Sequence, residues 1–134
     1  MILRIEHLGI AVKDSRAANE LFKLLLGIES YKSEEVASEK VITSFFKVGE
    51  SKVELLESTD PSGPIGKFIE KRGEGLHHIA FEVDDIHKMM QQLKDSGFQL
   101  LSDEPKRGAD NKLICFLHPK STNGVLVELC QEIL

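Results

Sequence analysis

The stretch His7-Leu8-Gly9-Ile10-Ala11-Val12-Lys13-Asp14 returns 71 positions later as His78-Ile79-Ala80-Phe81-Glu82-Val83-Asp84-Asp85. Both copies alternate, so each reads as a half-buried strand. One face of the strand is apolar: Leu8, Ile10 and Val12 in the first copy, Ile79, Phe81 and Val83 in the second. Side chains two apart share a face, so His7 and His78 project from the opposite side. A second pair, Val53-Glu54-Leu55-Leu56-Glu57 and Val127-Glu128-Leu129-Cys130-Gln131, lies 74 apart. Two nearly equal offsets mark an internal duplication.

Between these anchors each copy holds one helix and further strands. Asp14-Ser15 caps a helix over Arg16 to Leu25 that Gly27 closes, and Asp84-Asp85 caps one over Ile86 to Asp95 that Gly97 closes. Ala18, Leu21, Phe22 and Leu25 form one helical stripe; Ile86, Met89, Met90 and Leu93 form the other. Val41 to Val48 and Leu113 to Leu117 read as strands, with a hairpin turn at Gly49-Glu50-Ser51. A short middle strand is expected near Ser30 to Val36 and again near Gln99 to Asp103. Each unit is thus β-α-β-β-β, with modules at about residues 3–58 and 76–132 and a linker over 59–75. Within that linker, Pro64 to Lys71 can form a short helix that starts on proline.

The 134 residues form one domain with enough surface to bury a core without staples. No run of about 18 apolar residues is present and the first residues lack a secretory pattern, so membrane insertion and export are not expected. A net charge of −5 argues against nucleic acid as a partner, because phosphate neutralisation needs a basic face. Cys115 and Cys130 both sit in apolar runs and read as core thiols in a reducing, cytoplasmic setting.

One constellation carries chemistry. In each unit a His opens the first strand and a Glu lies on the last, giving His7, Glu54, His78 and Glu128. If the two units face each other about an approximate two-fold, these four form a site for a divalent ion: Co²⁺, Mn²⁺, Ni²⁺, Zn²⁺ or Mg²⁺. Four protein ligands leave two octahedral positions for water or a bidentate substrate, which catalysis requires. A lone His at a strand start is usually just hydrogen-bonded; it is the repeat that lifts these four above that reading. His77 should face the other way, His87 should be solvated on its helix, and His118 opens a turn that could line the site.

Three stretches carry a family resemblance: His7 to Val12; Pro64-Ile65-Gly66-Lys67-Phe68-Ile69-Glu70-Lys71-Arg72-Gly73-Glu74-Gly75-Leu76-His77-His78-Ile79-Ala80; and Phe116-Leu117-His118-Pro119-Lys120-Ser121-Thr122-Asn123-Gly124-Val125-Leu126-Val127-Glu128-Leu129. They resemble the vicinal-oxygen-chelate (glyoxalase) superfamily and, within it, the methylmalonyl-CoA epimerases across nearly the whole chain. The resemblance implies an α+β fold. Two tandem βαβββ modules would form a curved, partly open eight-stranded sheet around a metal cavity. It also implies an isomerase that moves a proton at C2 of an acyl-CoA substrate through a metal-stabilised enolate, in a homodimer.

Carried over residue by residue, His7, His78 and Glu128 match metal positions, and Glu54 matches a fourth where some epimerases carry Gln. Bacterial glyoxalase I has a His/Glu/His/Glu set resembling this one, so lactoylglutathione lyase is the alternative. An Fe(II) dioxygenase and a metal-free resistance-type binder are more distant alternatives. Thr43 falls where some epimerases carry a catalytic Glu, and an unactivated hydroxyl is no base near neutral pH. Glu128 is therefore expected as one acid/base, and Glu54 or Glu39 as the other. Lys106, Lys112, Lys120 and Ser121 are the candidates for holding the anionic groups of a CoA ester, with Arg107 and Lys67 beside them.

Overall fold

A computed structural model describes residues 1–134. Eight strands and three α-helices follow in the order β1 (Ile2–Val12), α1 (Ser15–Leu26), β2 (Lys32–Val36), β3 (Val41–Val48), β4 (Ser51–Ser58), α2 (Pro64–Arg72), β5 (Gly75–Val83), α3 (Ile86–Asp95), β6 (Lys106–Gly108), β7 (Lys112–Leu117) and β8 (Val127–Glu132). The strands make one mixed eight-stranded sheet in the order β2-β3-β4-β1-β5-β8-β7-β6. β1 runs parallel to β4, and β5 runs parallel to β8. The remaining described pairs within each half are antiparallel hairpins. This is the α+β, eight-stranded fold expected from the resemblance.

The chain forms two compact units: His7–His77, and Met1–Glu6 with His78–Leu134. In the first, α1 covers one sheet face, where Ala18, Phe22 and Leu26 pack on Ile10, Val12, Phe46, Val53 and Leu55. The other face is closed at one end by α2, whose Ile65, Phe68 and Ile69 pack on Ala11, Val41 and Leu56. In the second unit, α3 sets Ile86, Met89, Met90 and Leu93 against Phe81, Val83, Cys115, Leu117 and Leu129.

The helix ends follow local chemistry. Asp14 accepts hydrogen bonds from the N–H groups of Arg16 and Ala17, and Asp85 accepts one from that of Lys88. Gly27 ends α1 at φ 72°, a left-handed conformation that costs a glycine little.

Two expectations need correction. No strand forms over Gln99 to Asp103: Leu100 makes a single bridge to Leu117, and β6 lies further on at Lys106–Gly108. Pro105 stands just before β6 and cannot donate to a ladder, so a continuous strand begins only beyond it. In α1 the row packed on the sheet is Ala18-Phe22-Leu26, partly buried, while Leu21 and Leu25 are 59% and 70% exposed. An i, i+4, i+8 row fits the narrow contact with the sheet better than the wider stripe read from the helical spacing.

Candidate functional site

Strand register builds the site. In the first unit, β1 pairs with β4 so that Gly9 lies beside Glu54, and β4 pairs with β3 so that Glu54 lies beside Phe45. His7, Gly9 and Ala11 therefore share a face with Glu54, on the side away from α1. His7 Nδ1 and Glu54 Oε2 are 3.1 Å apart, and both residues are buried.

The second unit repeats the construction. Ala80 lies beside Glu128, and Glu128 beside Phe116, on the face away from α3. His78 Nε2 and Glu128 Oε1 are 3.2 Å apart, again with both residues buried. The Phe116 ring meets the His78 imidazole edge-on, with centroids 5.8 Å apart, and limits its rotation. His77, the neighbour of His78, points elsewhere and packs edge-on against Phe68.

These donor sets fit a metal ion. Two cis ligands held at about 2.1 Å from an octahedral cation lie about 3 Å apart, which is the spacing seen within each pair. All four side chains carry atoms suited to metal ligation; Glu6 lies close to His7 and Glu54 but is faced by Arg4 and Lys112, at 3.8 Å and 3.9 Å. The imidazole and carboxylate character suits a borderline divalent ion rather than a soft one.

Sequence reasoning missed two buried charges. Lys52 is the register partner of His7 on β4 and is 8% exposed, so the face that holds Glu54 also carries an ammonium. Its alternation with Glu54, two positions on, was the available signal. Glu6 is 1% exposed although it precedes an inward-facing His7. Strict alternation assigns Glu6 to the opposite face, so no sequence signal revealed it.

Other expected site residues fall in several places. Lys112 is buried, with its Nζ 3.7 Å from Glu82, 3.9 Å from Glu6 and 3.9 Å from Glu132, so it is no solvent-reaching cation. Lys106 and Arg107 are exposed on β6, Lys67 is exposed on α2, and Lys120 is exposed on the 3₁₀ turn Pro119–Ser121. His118 Nδ1 accepts a hydrogen bond from Lys120 N, and Ser121 Oγ accepts one from Gln99 N. Glu39 ends a 3₁₀ turn, and Lys40 after it is left-handed, so Glu39 does not continue the alternation of β3. Thr43 is buried on β3 between Leu56 and Glu34. His87 is exposed on α3.

Burial sets the thiol chemistry. It pushes Cys115 up to about 12, with the Glu128 charge adding to the effect, and raises Cys130 further for the same two reasons. Neither thiol can act as a nucleophile at neutral pH. Glu82 is held below the ordinary carboxylate range, first by its hydrogen bonds from Arg4.

Residues 6–116 match the model of the Glyoxalase/Bleomycin resistance protein/Dioxygenase superfamily. The chain belongs to that superfamily. Among its relatives is the ethylmalonyl-CoA/methylmalonyl-CoA epimerase of Cereibacter sphaeroides, 41% identical over 98% of this chain and 99% of that one. The human mitochondrial methylmalonyl-CoA epimerase is 39% identical over 96% of this chain and 73% of the human sequence. A solved methylmalonyl-CoA epimerase in complex with methylmalonyl-CoA and NH₄⁺ superposes with a TM-score of 0.95 at 37% identity, covering 98% and 96% of the two chains. The family resemblance read from the sequence thus holds over nearly the full superfamily fold.

Proposed function

We propose that the chain is a metal-dependent methylmalonyl-CoA epimerase, an isomerase that inverts C2 of the acyl group. One observation carries the reading: a buried His–carboxylate pair of ligand spacing stands on each unit of a chain that is similar to epimerases end to end. His7, Glu54, His78 and Glu128 would together hold one divalent cation, with Co²⁺, Mn²⁺, Ni²⁺, Zn²⁺ and Mg²⁺ all chemically compatible. When bound, such an ion supplies positive charge where the thioester oxygen becomes anionic.

The chain's own residues then move the proton. Glu128 removes it from C2 on one face of the substrate, and a second carboxyl group returns one on the other. Glu54 is the better candidate for that second group, because Glu39 sits on a turn outside the strand. Both pairs are buried, and each carboxyl resets its protonation by exchange with water between turnovers, one having gained a proton and the other lost one. The exposed Lys106 and Lys120 and the Ser121 turn offer positive charge and donors to a carboxylate and phosphates. Lys112 drops out of this set because it is buried among three glutamates.

Two tandem modules at about residues 3–58 and 76–132, a homodimeric assembly and a cytoplasmic location complete the reading. No helix is long and apolar enough to cross a membrane.

The test follows the C2 proton. In heavy water, the metal-loaded protein is expected to exchange C2–H of methylmalonyl-CoA for deuterium while the two epimers interconvert. No exchange, with turnover of the methylglyoxal–glutathione hemithioacetal, would replace this reading by lactoylglutathione lyase. Neither activity, together with no stoichiometric metal after purification, would leave a binding protein.

A further inference from the structure

We propose that Lys112, acting through Glu6, is a positioning residue that sets the orientation of His7. The inference rests on the metal reading above and concerns how one ligand is aimed.

The starting point is a break in alternation along β1. Arg4 and Glu6 lie on the same strand as His7, Gly9 and Ala11 but have opposite parity. Arg4 donates from Nε and Nη2 to both carboxylate oxygens of Glu82 at 3.2 Å, and Glu82 shares parity with His78 on β5. Glu6 meets Lys112, which shares parity with Phe116, the neighbour of Glu128. Even-numbered residues up to Glu6 therefore serve the site-bearing face of their unit. From His7 onward the odd-numbered residues do so, beginning with the His7–Glu54 contact. The parity changes at the Glu6–His7 peptide, where both side chains are buried. A regular pleat would send one of them outward.

Something must hold this departure in place, because a carboxylate at 1% exposure is costly unless cations face it. The cations are Arg4 and Lys112, with Nη2 and Nζ 3.8 Å and 3.9 Å from the same Glu6 oxygen. The other titratable groups around Lys112 are Glu82 and the largely exposed Glu132. The Cys130 thiol also lies within range of these charges. Lys112 is 4% exposed and its ammonium is set among Glu6, Glu82 and Glu132.

The approach to Lys112 is itself built. Asp110 and Asn111 both hold positive φ, 59° and 56°, unusual for consecutive non-glycine residues. Asn111 is tied at both ends, its side-chain amide donating to Ile133 O and its carbonyl accepting from Ile133 N. This three-residue turn, Ala109–Asn111, follows Gly108 at the end of β6 and delivers Lys112 to the face where Glu6 lies.

The experiment titrates the metal-free full chain with Mn²⁺, reading free ion by electron paramagnetic resonance well below the melting temperature. Lys112→Met and Glu6→Gln are expected to weaken Mn²⁺ binding by about 10–100-fold, the usual cost of losing an outer group that aims a ligand. The visible spectrum of the Co²⁺ form should change in both. Lys112→Arg should restore affinity to within about threefold, since the charge is kept. Cys115→Ala, a core change on the α3 side, should lower the melting temperature and leave affinity and spectrum alone.

Wild-type affinity and an unchanged Co²⁺ spectrum in folded Lys112→Met would overturn the inference. If Lys112→Met does not fold, Glu6→Gln decides, and wild-type affinity there would overturn it equally. A wild-type chain that binds no Mn²⁺ would overturn the metal reading, and this inference with it.

Discussion

The two units descend from one pattern, and they differ least where the chemistry lies. Their His–carboxylate separations are 3.1 Å and 3.2 Å, although one pair uses Nδ1 and the other Nε2. Their helices have diverged much further. α3 buries Ile86 and Met90 completely or nearly so, while α1 has no fully buried residue and exposes Leu24 at 84%. The polar surroundings differ too: Lys52 stands beside the first pair, whereas the ion cluster of Glu82 and Lys112 stands further along the face of the second. A ligand pair tolerates a few tenths of an ångström of change; a helix packed on a sheet needs only enough apolar area, however supplied.

The sharpest way to break this comparison is to treat the two carboxylates alike. Glu128→Gln should cut epimerase activity by about 10²–10⁴-fold, because it removes a proton-transfer group on one substrate face. Full activity in metal-loaded Glu128→Gln would show that Glu128 is not an acid/base. Packing provides the next test. Ile86→Ala, at 0% exposure, should cost about 2–5 kcal/mol in urea unfolding. Leu24→Ala on α1 should stay within about 0.5 kcal/mol. Equal losses would mean that α1 is as deeply packed as α3.

Glu54→Gln retains a ligand oxygen and so separates binding from chemistry. If Glu54 only ligates, metal affinity should fall by about tenfold and added metal should recover activity. If it is the second base, activity stays low at saturating metal, while C2 exchange from one epimer persists. That contrast decides between the two roles.

A smaller effect concerns acid. Glu82 is depressed below its ordinary value of 4.5 in the folded chain, so the folded state gives up protons more readily than the unfolded one. Its contribution is complete above that ordinary value and is lost as pH falls through the depressed folded value. Glu82→Gln should therefore lower the melting temperature at neutral pH and flatten its decline below about pH 4.5. An unchanged acid limb would remove Glu82 from the account. The mildest expectation is chemical: with both thiols pushed to about 12 or beyond, a thiol reagent at pH 8 should label neither cysteine until the chain unfolds.

Much of the molecule was legible in the sequence, for identifiable reasons. Alternation placed His7 and His78 opposite the apolar rows because strand period is fixed at two. Aspartate caps and the glycines at 27 and 97 bounded α1 and α3 because those residues satisfy helix ends locally. The strand expected near Gln99 failed because short polar stretches carry no period strong enough to set pairing against a proline. Lys112 was read as a surface cation because charge in a sequence carries no sign of what will surround it. Glu6 was invisible for the opposite reason: the rule that found His7 placed its neighbour on the wrong face.

The sequence by itself determined the duplication, the element order and the identity of two His–Glu pairs, since all three follow from local periodicity and repetition. Tertiary structure alone decided that β1 changes parity at Glu6-His7 and that Lys112 turns inward to meet Glu6. Those outcomes depend on which strands lie side by side, and on the cost of burying one charge without another, and neither is written in any single stretch of chain.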